Sequence, residues 1–324
     1  MASPDSNILL LSAGRRVELA QAFQSEIERR GLTSKLYATD LRPEFSAACH
    51  VVDEAFAAPR VTESGYFEFL LDLCRRHNIG LVIPTIDTEL IGLAQHREEF
   101  GAFGIELVIS DEALVDLCRN KSGTTKLFEE IGIDTPVIYD RTALEFPCFA
   151  KPYDGSRSIG AFHIPNSKSV TQDILANSKL IFMEYIDGSH QEYTVDAYYD
   201  RHGGLKCLVP RLRMEVRDGE ISKGVTRKDY VYDYLKDRLS RIKGARGCLT
   251  MQLFARNDGP RYAALEINAR FGGGFPLSYA AGANYPGWLI DEYLLGKSVN
   301  AFDGWEVDLL MLRYDAKVLV RAGA

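Results

Sequence analysis

An α/β unit built on a parallel sheet, followed by a smaller α+β lobe and then a larger antiparallel sheet, is the architecture the sequence predicts. Three observations predict it. Short apolar runs alternate with helix-period segments through the first third of the chain. After residue 112 the alternation stops and a compact α+β stretch follows. From Leu180 onward, long strand-like segments dominate.

The elements follow in order. Asn7 to Ala13 (NILLLSA) is a continuous apolar run ending in small residues and Gly14, and Arg15 to Gly31 carries a helical apolar period with a glycine stop. Lys35 to Thr39 reads as a second strand, Gly65 to Arg76 as a helix and Ile79 to Pro84 as another buried strand. A helix around Glu89 to Phe100 and a strand at Ile105 to Ile109 complete a Rossmann-like unit over residues 1–112. Residues 113–132 read as a helix pair closed by Gly132, with strands near Pro136 to Tyr139, at Phe146 to Pro152 and at Ala161 to Ile164. The later strands are expected at Leu180 to Tyr185, Gln191 to Tyr199, Leu205 to Leu212, Leu249 to Ala255 and Tyr262 to Ile267.

Composition narrows the function classes. At 324 residues the chain exceeds one typical domain, and 46% hydrophobic with 26% charged residues is ordinary for a globular protein. A net charge of -7 argues against a broad nucleic-acid surface, so the basic stretch of Arg211, Arg213 and Arg217 must serve something local. The six cysteines form no CxxC pair, which argues against zinc and a disulfide framework. With no apolar run near 18 residues and nothing like a signal peptide before Asn7, a cytoplasmic protein without membrane contact is expected.

Three constellations carry chemistry. The loop Asp154 to Gly160 (DGSRSIG) lies between two strands, where small residues free backbone N–H groups to approach an anion. An ordinary hairpin loop competes with that reading, since Gly and Ser are common in turns. Lys151, at the end of an apolar strand three residues earlier, must leave the sheet or be neutralised, and a phosphate under the loop would neutralise it. Lys121, in RNKSGTT, is placed to point at the same anion from a capped helix start. Either lysine alone fits a solvated surface. Together with the loop they outline a polyphosphate site.

The third constellation is Gln252 on TMQLFA, followed by LEINAR. Glu266 and Asn268 are two apart in a strand and share a face, while Leu265 and Ile267 are expected in the core. Oxygen ligands on one face suit Mg²⁺, although an exposed polar sheet face is the competing explanation. Arg270 continues that face and can stabilise charge on a transferred phosphoryl group. Gly272, Gly273 and Gly274 just beyond imply close backbone approach to something. In the first unit, the turns Ser12 to Arg15 and PTIDTE lie at carboxyl ends of parallel strands, where ligands of open α/β sheets bind, but helix caps explain Asp87 and Thr88 equally well.

The ordered set resembles the ATP-grasp superfamily, and is most similar to its stand-alone, carbamoyl-phosphate-synthase-like members, over nearly the whole chain. The resemblance implies a pre-ATP-grasp domain at 1–112, a small lid subdomain at 113–184 and a large subdomain with the metal site at 185–324. It implies that Lys121 and Lys151 hold the phosphates of ATP, with Gly155, Ser156, Ser158 and Gly160 in the loop above them. Glu184, Tyr185 and Ile186 would form the adenine hinge and Glu192 would hold the ribose. Gln252, Glu266 and Asn268 would carry one or two Mg²⁺ ions, with Mn²⁺ as a substitute, and Arg270 matches the arginine of the ExNxR pattern. Gln252 stands where many members have an acid. Related ligases often place a phosphate-contacting arginine between hinge and metal set, and Arg227, with Lys223 as the alternative, is the candidate here. With Lys151 and Arg270 it completes the expected catalytic set.

The reaction implied is attack of a substrate carboxylate on the γ-phosphate of ATP, followed by displacement of phosphate from the acyl-phosphate by an amine. Small-molecule carboxylate and amine substrates, ADP as product and a homodimer are the corresponding expectations. Phosphorylation of bicarbonate or carbamate is the alternative chemistry, and a nucleotide-binding protein without turnover is the non-enzymatic one. A nicotinamide oxidoreductase is disfavoured, because the turn at Gly14 lacks GxGxxG.

Overall fold

The computed structural model of the chain describes residues 3, 5–153, 160–217, 219–256 and 262–321. A parallel five-stranded sheet comes first, with β1 (Asn7–Leu10), β2 (Leu36–Asp40), β3 (Glu54–Ala57), β4 (Ile79–Ile83) and β5 (Glu106–Leu107) in the order β3-β2-β1-β4-β5. Strand alternation sorts its side chains. Ile8 and Leu10 pack on helix α1 (Val17–Arg29), while Leu9 and Leu11 join the opposite core with Leu70 and Leu73 of α2 (Tyr66–Arg76).

The expected helix around Glu89 to Phe100 is broken in two. A 3-10 turn at Asp87–Glu89 leads into α3 (Leu90–Gln95), and α4 (Arg97–Ala102) restarts after His96. The anticipated helix pair is α5 (Glu112–Arg119) and α6 (Lys121–Ile131). Asn120 caps α6 by accepting from Ser122 N and Gly123 N, and Gly132 ends it in the left-handed conformation at φ 76°.

A four-stranded antiparallel sheet follows in the order β6-β9-β7-β8, from β6 (Ile138–Tyr139), β7 (Cys148–Pro152), β8 (Phe162–Ile164) and β9 (Leu180–Glu184), with the short α7 (Gln172–Ala176) beside it. Its core is small: Cys148, Ala150, Ile164, Leu180 and Phe182.

The last sheet is six-stranded and antiparallel, ordered β14-β13-β10-β11-β12-β15. Its strands are β10 (His190–Tyr199), β11 (Leu205–Arg217), β12 (Glu220–Thr226), β13 (Gly247–Arg256), β14 (Tyr262–Asn268) and β15 (Leu310–Leu312). Helices α8 (Tyr230–Leu239), α9 (Phe275–Ala280) and α10 (Tyr285–Tyr293) accompany it. The cation-rich stretch after Pro210 extends the expected strand at Leu205 to Leu212. It is the β11–β12 hairpin, in which alternating basic residues point to one face.

The large sheet shares its cores with the first unit. Tyr193, Val195 and Ala197 of β10 pack with α5, α6 and the α2 side of the parallel sheet, whereas Tyr198 joins α10 and the α1 side. An ionic clamp reinforces the second contact. Glu26 of α1 is fully buried, accepts from Tyr279 (2.7 Å) and Asn284 (2.7 Å), and pairs with Arg30, which also holds Asp291 of α10 at 2.6 Å. Among the described residues no helix is long and apolar enough to cross a membrane.

Candidate active site

Strand register builds the floor of the site. Arg211 of β11 lies opposite Thr194 of β10, Thr194 opposite Gln252 of β13, and Gln252 opposite Glu266 of β14, so four side chains from four strands form one row on one face. A second row runs Asp196, Thr250, Asn268. The facing wall comes from the small sheet and from α6, and the parallel sheet closes one end through Arg16 and Thr85 to Thr88. The enclosed cleft has a volume of about 980 Å³.

Most of the sequence candidates meet in this cleft. Lys121, Lys151, Glu184, Tyr185, Ile186, Glu192, Gln252, Glu266, Asn268 and Arg270 all line it. Gly160 has φ 73° and stands one residue before Ala161, which lines the wall. Gly155, Ser156 and Ser158 lie outside the described residues.

Arg227 is not brought there. It follows the last residue of β12, does not line the cleft, and its guanidinium pairs with the exposed Asp308. Lys223 pairs with Glu215 at 2.6 Å in a similarly exposed position. The reason is parity: Arg211 lies opposite Thr226, so the next residue turns to the other face. The arginines of this hairpin that line the cleft are instead Arg211 and Arg213, two apart on β11. Their alternate spacing in PRLRMEVR was the available signal.

Electrostatics distinguish the end that carries the two lysines. Burial pushes the Lys151 ammonium down to about 8, the neighbouring Lys121 pushes the same way, and Glu266 across the cleft opposes them. Lys121 reaches over the end of β7, where its Nζ donates to the carbonyls of Pro152 (2.9 Å) and Tyr153 (3.2 Å). Two cations brought together in a desolvated cleft are the arrangement a polyphosphate would relieve.

At the hinge end, Glu192 accepts from Gln252 Nε2 and pairs with Arg213 at 2.9 Å. Met183 is buried and the Tyr185 ring lies 4.1 Å, centroid to centroid, from His163. Glu184 receives the Val137 N–H at 3.4 Å, so its side chain buttresses β6 while its backbone passes the cleft.

The metal candidates form a set with one carboxylate. Asn268 Nδ2 donates to Glu266 Oε1 at 3.2 Å, and Asn268 Oδ1 accepts from Arg270 Nη2 at 3.3 Å. Among the described residues no group of three His, Cys, Asp or Glu side chains is placed to hold a metal by itself. Gln252, Glu266 and Asn268 fit a hard ion that arrives with phosphate oxygens and waters, because one carboxylate and two amides leave most of the coordination sphere to the ligand.

Three features were not anticipated. Leu265 is half-buried at the cleft instead of in the core, because the β13–β14 register shifts between Gln252 and Leu253. Arg270 reaches across to the first unit and pairs with Asp87 at 2.6 Å; Asp87 is not a cap, because Ile86 takes the N-cap position of the turn after β4 and no side chain caps it. The glycines approach the protein's own side chains: a Cβ on Gly273 would overlap the Glu220 carboxylate, and one on Gly274 the Arg211 guanidinium. Arg211 itself is fully buried, held at 2.9 Å by Asp196, which also accepts from Ser278 (2.6 Å) and Thr250 (3.1 Å).

Below the cleft end, Glu89 is fully buried with its carboxyl pushed up to about 7 by burial. Ser12 Oγ and Tyr66 OH (2.8 Å) both donate to Oε1, and Oε2 has no partner among the described residues.

Comparison with known proteins supports the same frame. Residues 8–108 match a family model described as the PylC-like N-terminal domain, and residues 176–311 match one described as ATP-grasp in the biosynthetic pathway with Ter operon. A search of curated proteins by sequence finds no match. Among solved structures, the biotin carboxylase domain of Hydrogenobacter thermophilus 2-oxoglutarate carboxylase, solved with MgADP, ADP and bicarbonate, aligns with a TM-score of 0.72 at 14% identity, over 94% of this chain and 73% of that one. The N5-carboxyaminoimidazole synthetase of Staphylococcus aureus, complexed with ADP, gives 0.71 at 13% identity over 92% and 79%. The L-amino acid ligase of Bacillus licheniformis gives 0.65 at 16% identity over 89% and 74%. At such identities the likeness speaks for the fold, and it spans all three sheets described above. With both family models in chain order on that fold, the chain belongs to the ATP-grasp superfamily.

Proposed function

We propose that the chain is an ATP-dependent carboxylate–amine ligase that forms an amide through an acyl-phosphate and releases ADP and phosphate. The observation that carries this reading is the pairing of two surfaces across one cleft: the desolvated Lys151 beside Lys121, and the row Gln252–Glu266 with Asn268 facing them. The superfamily neighbours solved with ADP point the same way.

On this reading residues 113–184 form the lid and 185–324 the floor, with the adenine at Met183 to Ile186 and the ribose at Glu192. Lys121 and Lys151 hold the phosphates and take up the negative charge that moves to the leaving oxygen during transfer. Mg²⁺ bound through Gln252, Glu266 and Asn268 would neutralise the phosphate oxygens. Arg270, fixed by Asp87, orients the acceptor carboxylate in line with the γ-phosphorus. The carboxylate oxygen forms the new P–O bond as the β–γ bridge breaks, and an amine nitrogen then attacks the acyl carbon, loses a proton and expels phosphate. Exclusion of water while the acyl-phosphate persists is the task of the lid.

A cleft of about 980 Å³ that extends to Arg16 leaves room for an acceptor larger than bicarbonate. The test is a screen for ADP and phosphate release against paired carboxylates and amines, with mass spectrometry of the product. ADP formation that depends on the carboxylate and the amine, and that disappears in Glu266→Gln, is expected. AMP as the nucleotide product would overturn the proposal.

A further inference from the structure

At the end of the cleft formed with the parallel sheet, most of the lining charges of the described residues pair off. Asp87 is taken by Arg270 at 2.6 Å, Glu220 lies 3.5 Å from Arg313, and Arg211 is neutralised by Asp196 at 2.9 Å. Arg16 lines the same end and, among the described residues, makes no ion pair. Among the described residues its one side-chain hydrogen bond is from Nη2 to the Thr85 carbonyl, long at 3.4 Å. A guanidinium offers five donors and stays charged throughout the accessible pH range, so this one is left with unused donors in a confined place.

Two further observations point to an anion there. Burial and the neighbouring Arg270 both disfavour the charged form of Arg16, which identifies a cation held in a desolvated spot next to a like charge. Arg16 is also the N-cap position of the thirteen-residue helix α1, whose first turn receives no side-chain cap, so unpaired backbone N–H groups begin at the same edge of the parallel sheet. Asp87 and Glu220 are near enough to act on Arg16, but each is committed to another arginine.

We propose that Arg16 binds a second anionic group on the acceptor substrate, a carboxylate or a phosphate distinct from the carboxylate that is phosphorylated, and so selects dianionic acceptors. This rests on the ligase reading for which substrate occupies the cleft. The reacting carboxylate lies toward Arg270 and Asn268, and the second anion lies against the turn after β1. A charge-assisted, bidentate contact of this kind contributes about ten- to a hundredfold in affinity.

The experiment is calorimetric titration of the full chain with succinate, succinamate and 3-phosphonopropionate, in the presence of saturating MgAMPPNP so that the γ-phosphate position is filled. Succinamate keeps the size and one carboxylate of succinate but replaces the other with an amide. Succinate or 3-phosphonopropionate should bind about tenfold or more tightly than succinamate, and the tighter of the two identifies the second group as carboxylate or phosphate. Arg16→Gln should abolish that preference while succinamate and MgAMPPNP bind as before, and Arg16→Lys should restore part of it. Equal binding of all three probes, binding of none, or a uniform loss in Arg16→Gln would overturn the proposal. Failure of MgAMPPNP to bind the unaltered protein would count against the ligase reading instead. The same titrations without nucleotide would then still decide the role of Arg16.

Discussion

Raising the pH from 7 to 9 should weaken nucleotide binding about tenfold through one side chain, Lys151. Its ammonium lies near 8 in place of the ordinary 10.5, first because it is buried and then because Lys121 is beside it. If the phosphates bind only the protonated form, the apparent Kd scales as one plus the ratio of neutral to charged Lys151. That factor is close to one at pH 7 and about eleven at pH 9. The same shift sets a stability window. Between about pH 8 and 10.5 the unfolded chain binds the proton that the folded chain has released, so stability rises with pH there, and below 8 the cost of the buried charge is fully present. That cost is at most about 3 kcal/mol from the size of the shift. Calorimetry of MgADP binding at pH 7, 8 and 9 reads the first effect, and two buffers of different ionisation enthalpy reveal the accompanying proton uptake at pH 8.5. Lys151→Met should bind MgADP more weakly with a flat profile over this range, and should melt at a higher temperature than the parent at pH 7. A Kd at pH 9 within twofold of that at pH 7, or an unchanged pH slope in Lys151→Met, would refute the reasoning.

Other perturbations address separate parts of the site. Glu266→Gln removes the carboxylate of the metal set and should lower ADP formation about a hundredfold or more, with the Mn²⁺ requirement shifting to higher concentration in a metal titration. Asp87→Asn and Arg270→Lys, measured singly and together, should show a coupling of about 1–3 kcal/mol in acceptor kcat/KM; additive effects would mean that the pair does no positioning. Arg213→Ala should weaken nucleotide binding about tenfold by releasing Glu192, whereas Arg227→Ala, at its surface pair with Asp308, should change it less than twofold. Glu89 has its folded value raised to about 7, so the stability of its protonated form is fully present below about 4.5 and is lost as pH rises through 7. Glu89→Gln should therefore flatten the fall in melting temperature between pH 5 and 8, and an unchanged slope would exclude the carboxyl as its source.

The sequence by itself determined the order and type of most elements, because their signals are local; it missed the strands β3, β12 and β15 and the break between α3 and α4. Period-two and period-3.6 apolar patterns report which face of each segment is buried, and Asn120 and Gly132 bracket α6 by cap chemistry that needs no distant partner. It also determined that Glu266 and Asn268 share a face, wherever that strand lies. What needed the tertiary structure was every relation set by register between strands distant in sequence. The same basic segment supplies Arg213 to the cleft and Arg227 to the surface, and only the pairing of Arg211 with Thr226 decides which. The pairing of Asp87 with Arg270 joins residues 183 positions apart, and no periodicity encodes it. Arg16 belongs to the same class: as a sequence it is one more polar residue at a helix start, and that it makes no ion pair among the described residues emerges only once Asp87, Glu220 and Asp196 are seen to be engaged elsewhere. Burial patterns are written along the chain. The balance of charge within a cleft is a sum over segments that meet only in the fold.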